Sequence, residues 1–124
     1  MNKIITILVF TLSWSHSFAM EDALLDIING IWAADQFNQL CTEKPIALPA
    51  TEAELTQALL DATGTDFVGE IAATPFYAEM NLRDHAKALV DSHLKDGCDT
   101  KAANEKRESI ISNLSRYREV FVAN

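Results

Sequence analysis

The stretch Asp22–Cys41, DALLDIINGIWAADQFNQLC, decides the fold of this chain. Its apolar side chains recur at steps of three and four residues, which is the spacing of one face of an α-helix. Glu21 and Asp22 lie near the start of the stretch, where the helix dipole favours negative charge. We therefore predict a long amphipathic helix over residues 22–40. Its apolar stripe consists of Leu24, Ile27, Ile28, Ile31, Ala34 and Cys41.

A connection and a second helix follow this first one. Residues 42–50 contain two prolines, which is typical of a connecting segment. In the sequence TEAE, Thr51 and Glu54 have the spacing of a capping box, in which each side chain bonds the other residue's backbone N–H. Gly64 stands where a left-handed residue would end the helix. The pattern predicts a helix between Thr51 and Gly64.

Residues 65–80 are less regular than the segments on either side. Gly69 and Pro75 both weaken a continuous helix. We predict a short helix before Thr74, a bend, and a second short helix after Pro75. A pair of strands is the alternative, but no alternation of apolar and polar residues supports it.

Two further helices are predicted in the last third of the chain. Asn81 followed by Asp84 is typical of a helix start, and Gly97 is placed to stop that helix. Asp99 or Thr100 can cap the last helix. The apolar stripe of this last helix is Ala103, Ile110, Leu114, Tyr117 and Phe121.

The first nineteen residues have the three-part pattern of a secretory signal peptide. Lys3 supplies a positive charge, Ile4–Leu12 is an apolar core, and Ser17 and Ala19 place small side chains before a cut after Ala19. The apolar stretch is shorter than the roughly 20 residues that a membrane span needs. We expect residues 1–19 to be removed and residues 20–124 to form a single periplasmic domain. An uncleaved anchor is the alternative.

Cys41 and Cys98 are the only cysteines of the chain. An oxidising compartment favours a disulfide between them, which would join the end of the first helix to the start of the last. A bond between two chains and two free thiols are the alternatives. The sequence therefore predicts an all-α fold, a small bundle of four to five helices with one disulfide.

Composition excludes several classes of function. The chain has 124 residues and a formal net charge of −8, so it would be repelled by nucleic acids. It contains no glycine-rich phosphate loop, no nucleophile elbow and no zinc-protease motif, and two cysteines without clustered histidines are too few ligands for a metal. We predict a protein that is not an enzyme, with no cofactor, no metal, no nucleic-acid partner and no membrane contact after signal cleavage.

The charges are unevenly distributed along the chain. Residues 45–82 contain six acids and neither lysine nor arginine, and three aromatic residues lie in their least regular part. This pattern predicts an outward-facing acidic segment with aromatic anchors for a basic protein partner. In the alternative, the acids cap helices and the aromatics belong to the core. The predicted partner-binding residues are Asp66, Phe67, Glu70, Phe76, Tyr77 and Glu79.

Two further features concern contacts between subunits. The acidic middle and the more basic last helix could pair between two copies of the chain, which would support a homodimer. Trp32, the only tryptophan of residues 20–124, lies at the edge of the first stripe. We expect it in the core or at the rim of a subunit contact, with an exposed binding anchor as the alternative.

Taken together, the signal sequence ending at Ala19, the helical remainder, Cys41 with Cys98 and the acidic surface resemble the small periplasmic immunity proteins of bacterial type VI secretion systems. The similarity is to the kind that neutralises a spike-borne, lysozyme-like muramidase, and it concerns architecture over the whole chain. It implies a stoichiometric inhibitor, often a homodimer, that blocks the cleft of a cell-wall hydrolase and protects the producing cell. An acid-stress chaperone and a carrier of a small apolar ligand are the alternatives.

Overall fold

The computed structural model describes residues 14–76 and 80–121. The predicted all-α class is confirmed, because this part of the chain is mostly helical and has one disulfide. Four helices have twelve or more residues, two are shorter, and two strands of two residues each form a small antiparallel pair. In chain order the elements are α1 (Trp14–Leu40), α2 (Glu52–Thr63), α3 (Phe67–Ala73), β1 (Pro75–Phe76), β2 (Met80–Asn81), α4 (Leu82–His93), α5 (Lys101–Ser115) and α6 (Tyr117–Phe121).

Helix α1 is the centre of the molecule. It packs mainly against α4 and α5, and α6 covers its first part. Helix α5 runs antiparallel to α1, because Cys98 is bonded to Cys41 at one end and Arg116 contacts Asp26 at the other. Burial therefore extends beyond the predicted stripe and almost encircles α1 in its middle. The buried side chains of α1 are Ala23, Leu24, Ile27, Ile28, Ile31, Trp32, Ala33, Ala34 and Phe37.

Gly30 lies at a close approach of α5 to α1. A methyl group at Gly30 would lie 3.0 Å from Leu114 Cδ2 and 3.2 Å from Asn113 Cβ. Such distances are shorter than ordinary contacts between carbon atoms. The absence of a side chain at Gly30 therefore lets the two helices meet.

The predicted helix ends of α2 are confirmed. The backbone N–H of Glu54 donates to Thr51 Oγ1 at 3.1 Å, and the N–H of Thr51 donates to Glu54 Oε1 at 2.9 Å. Gly64 has a φ of 74° and donates its N–H to the Leu60 carbonyl. Both ends of α2 are thus determined by residues within or next to the helix.

The starts of α4 and α5 also agree with the sequence prediction. The Asn81 side chain accepts the backbone N–H of Asp84 at 2.8 Å. Of the two candidates for the α5 cap, Thr100 is the one used, and its hydroxyl accepts the N–H of Ala103 at 3.0 Å.

The prediction for residues 65–80 is half right. The short helix before Thr74 is confirmed as α3, but the predicted helix after Pro75 is wrong. Instead β1 pairs with β2, with Pro75 opposite Asn81, and the N–H of Leu82 donates to the Thr74 carbonyl. Strands of two residues are too short to show an alternation of apolar and polar residues, so the sequence pattern does not predict them.

The last helix is not continuous, contrary to the prediction. It divides at Arg116 into α5 and α6, and the N–H of Arg116 bonds to the Asn113 carbonyl at 3.2 Å. The guanidinium of Arg116 reaches back to α1 and contacts Asp22 and Asp26 at 3.1 and 2.6 Å. After the break, α6 packs against α1, and its Val120 and Phe121 side chains are buried.

The disulfide is formed within one chain. It joins Cys41, just after α1, to Cys98, in the turn before α5, with a Cα–Cα distance of 5.9 Å. The predicted cut after Ala19 falls within α1, whereas most of the predicted signal peptide, residues 1–13, lies outside the described residues. Within the described part of the chain, no helix combines the length and apolar character needed to span a membrane.

Candidate binding surfaces

Helices α2 and α3 contain most of the segment without basic residues. Helix α2 packs mainly against α3, and α3 packs against α4. Leu55, Leu59, Val68 and Ala72 are the side chains that attach this pair to the core. The outer sides of α2 and α3 therefore face solvent and carry only acidic charge.

Two acids of this segment have structural roles. Glu52 forms an ion pair with Arg83 of α4, so it links α2 to the core helices. Glu54 completes the capping box and lies near Tyr117 of α6. The pKa of the Tyr117 phenol is raised, first by burial and then by the Glu54 carboxylate. These acids therefore stabilise the fold and are not free for a partner.

Three other acids lie in the last turn of α2, at the N-cap of α3 and within α3, and have no cationic partner in the described part of the chain. Asp61 accepts a hydrogen bond from Gln57 at 2.8 Å, and Asp66 caps α3 by accepting the N–H of Gly69 at 3.0 Å. Glu70 follows Asp66 by one helical turn, and all three are exposed. None of the described lysines or arginines forms an ion pair with them. We call Asp61, Asp66 and Glu70 the acidic corner.

The structure describes only part of the predicted partner-binding set. Asp66 and Glu70 are exposed, whereas Phe67 is half-buried and packs against the core. Phe76 lies in β1, and its side chain, together with Tyr77 and Glu79, is outside the described residues. Asp61 was not predicted, although it belongs to the same segment without basic residues.

Trp32 is a core residue, so the alternative of an exposed anchor is wrong. It is 2% exposed, and the guanidinium carbon of Arg83 lies 5.8 Å from its ring centre. Its indole N–H has no acceptor among the described residues. Nearby, burial raises the pKa of Asp35, and the opposing attraction of Lys87 and Arg83 is too weak to cancel the effect. These residues lie where α1 packs against α4.

A second surface, which the sequence analysis did not identify, lies between α5 and the connection of residues 42–50. It consists of two open clefts of about 320 and 470 Å³, and Arg107 lines both of them. We call the two clefts together the Arg107 groove. In the sequence, the feature that could have indicated this surface is Ile111, an apolar residue of α5 outside the buried stripe.

Neither surface has the composition of a metal site. Within residues 14–76 and 80–121, no group of three or more histidine, cysteine, aspartate or glutamate side chains is arranged to hold a metal ion. Comparison of the chain with protein-family models, with curated proteins and with solved structures finds no match in any of the three.

Proposed function

We propose that this protein is an exported inhibitor of the immunity type, which binds a muramidase-like peptidoglycan hydrolase in the periplasm and protects the producing cell. The observation that carries the proposal is the acidic corner. Asp61, Asp66 and Glu70 are exposed, lie within ten residues of each other in the sequence and have no cation of their own in the described structure.

Exposed carboxylates without a cation of their own make the surrounding surface negative, which favours the approach of a basic partner. A hydrolase that binds peptidoglycan meets a polymer with carboxylate groups, so its cleft gains from positive charge. Attraction between such a cleft and the acidic corner would speed the encounter of the two proteins.

Apolar contacts must then hold the complex once water leaves the interface. Leu60 is next to Asp61 and is 39% exposed, and the half-buried Phe67 follows Asp66. The proposal assigns the same role to the aromatic Phe76 and Tyr77, with Glu79 adding a further negative charge.

The test measures the association of residues 20–124 with purified muramidases encoded in the same genome. A neutral variant removes the three charges without changing side-chain size, and asparagine still caps a helix at residue 66. This variant is Asp61→Asn, Asp66→Asn and Glu70→Gln. The matched control removes three exposed charges elsewhere, by Asp96→Asn, Glu105→Gln and Glu108→Gln.

We expect the neutral variant to associate about tenfold more slowly at low salt, with little change in the dissociation rate. The control should retain most of the wild-type rate, because it changes the net charge equally at another site. Cells that export the wild-type protein should survive exposure to the muramidase. The proposal fails if every muramidase stays fully active in the presence of the purified protein, or if the two variants behave alike.

A further inference from the structure

The disulfide forms part of the wall of the smaller cleft of the Arg107 groove. This open cleft has a volume of about 320 Å³, and both Cys41 and Cys98 line it. Leu40 of α1 and Asn104 of α5 belong to the same lining. Its volume lies at the lower end of the range for pockets that bind small molecules. The covalent link between α1 and α5 is therefore within reach of a small solute while the protein stays folded.

The two residues that form the disulfide differ in exposure. Cys41 is 6% exposed and belongs to the core, whereas Cys98 is half-buried. A disulfide is cleaved when a thiolate attacks one of its two sulfur atoms, and access decides which sulfur is attacked. A thiol that enters the cleft from solvent should therefore attack Cys98, and Cys41 is then the leaving group.

The surroundings of Cys41 make this step reversible. Cys41 follows the last residue of α1, where the helix dipole is negative and disfavours a thiolate. Its backbone N–H donates to the Phe37 carbonyl at 2.7 Å, and the Asn38 side chain bonds both backbone groups of Ile46 in the connection beyond it. Because these contacts do not involve the disulfide, they would keep the Cys41 sulfur close to Cys98 after cleavage.

We propose that Cys98 is a site of reversible S-thiolation by small thiols, which enter through the smaller cleft. The thiolate attacks Cys98 Sγ and forms a new S–S bond while the Cys41–Cys98 bond breaks. The electron pair of the broken bond stays on Cys41 Sγ, which takes up a proton from water. The small thiol is thereby oxidised to a mixed disulfide and Cys41 is reduced. Attack of the Cys41 thiolate on Cys98 reverses the step and releases the thiol.

The charged side chains of this cleft are of both signs. Glu43 and Asp99 line it together with Lys44 and Arg107. Because these charges balance, we expect no strong selection of the thiol by its charge. Glutathione, a small thiol with both acidic and basic groups, serves as the probe. This site is separate from the acidic corner, so it goes beyond the proposed inhibitory function.

The experiment treats the oxidised wild-type protein with reduced glutathione in the absence of denaturant. Samples are quenched with acid while most of the protein is still intact, free thiols are alkylated, and peptide masses show which cysteine carries glutathione. We expect glutathione on Cys98 and the alkyl group on Cys41 in at least about tenfold excess over the reverse arrangement. In protein unfolded by urea both sulfur atoms are accessible, so the two arrangements should form in similar amounts.

Two substitutions on α5 test the route of entry. Asn104→Trp places a large side chain at a position that lines the cleft, whereas Ser109→Trp places the same side chain at an exposed position outside the lining. The first substitution should slow formation of the mixed disulfide several-fold, because the thiol meets an obstructed cleft. The second should leave the rate as in the wild type.

The inference is overturned if glutathione is found on the two cysteines of the folded protein in similar amounts, or mainly on Cys41. It is also overturned if cleavage without urea is no faster than global unfolding, or if the two tryptophan variants react alike. None of these measurements involves a muramidase. Failure of the thiolation site and failure of muramidase inhibition are therefore separate results.

Discussion

Replacement of Gly30 by alanine sets two opposing effects against each other in the middle of α1. Alanine is favoured over glycine in a helix interior by about 1 kcal/mol. The new methyl group, however, would lie 3.0 and 3.2 Å from two carbons of Leu114 and 3.2 Å from Asn113 Cβ. Leu114 is only 6% exposed, and Asn113 Cβ is fixed by the α5 backbone, so neither atom can withdraw freely. Overpacking of this kind costs about 1–3 kcal/mol.

We therefore expect Gly30→Ala to lower the free energy of unfolding by about 1 kcal/mol, measured by urea denaturation with an unchanged slope. The exposed neighbour in α1, Asn29→Ala, is the control, and it should stabilise the protein by about 0.5 kcal/mol because it gains helix propensity without a clash. A Leu114→Ala background removes the two contacts with Leu114 and leaves the one with Asn113 Cβ, so the loss of stability caused by Gly30→Ala should become smaller there. If the single substitution stabilises the protein as much as propensity alone predicts, the tight approach of α5 to α1 is not a constraint.

Three other substitutions test the remaining links between the helices. Replacing Cys41 and Cys98 together by alanine should lower the free energy of unfolding by up to about 4 kcal/mol, the loop-closure value for the 57-residue separation, and reduction of the wild type should give a similar loss in urea titrations. Arg116→Gln should cost about 1 kcal/mol at low salt, and less near 1 M salt, where exposed ion pairs are screened. Burial raises the pKa of Asp35 above that of an ordinary aspartate. The ionised carboxylate therefore destabilises the folded state at a pH above this raised pKa. Asp35→Asn should for this reason stabilise the protein at pH 7. That gain should vanish at a pH below the ordinary aspartate pKa, where the wild-type carboxyl is neutral in both states, and a gain that is independent of pH would contradict the burial argument.

The helix ends were predictable because their causes are local. Thr51, Glu54 and Gly64 determine α2 through contacts within one turn of chain, and the same holds for Asn81 before α4. The division of the last helix at Arg116 was not predictable, because no glycine or proline stands there. At this point the Arg116 side chain contacts Asp22 and Asp26, about 90 residues away in sequence, and a local pattern cannot reveal such a contact.

The surfaces were predictable only as far as composition determines them. The absence of lysine and arginine from residues 45–82 indicated a segment without positive charge of its own. It could not distinguish Glu52, whose carboxylate is used by Arg83, from Asp61, which has no such cation in the described structure. The Arg107 groove was missed because one wall is an irregular connection, and its position depends on Asn38 of another element.

The two ends of the α1–α5 pair are fastened by bonds of different kinds. The Cys41–Cys98 disulfide links one end of the pair; it does not depend on salt concentration, but a reductant can cleave it. The ion pairs of Arg116 with Asp22 and Asp26 link the other end, and reductants do not affect them. In an oxidising compartment of low ionic strength, both the disulfide and the Arg116 ion pairs persist. A reducing environment would open the disulfide and leave the Arg116 contacts intact, so these bonds would link the α1–α5 pair at one end only.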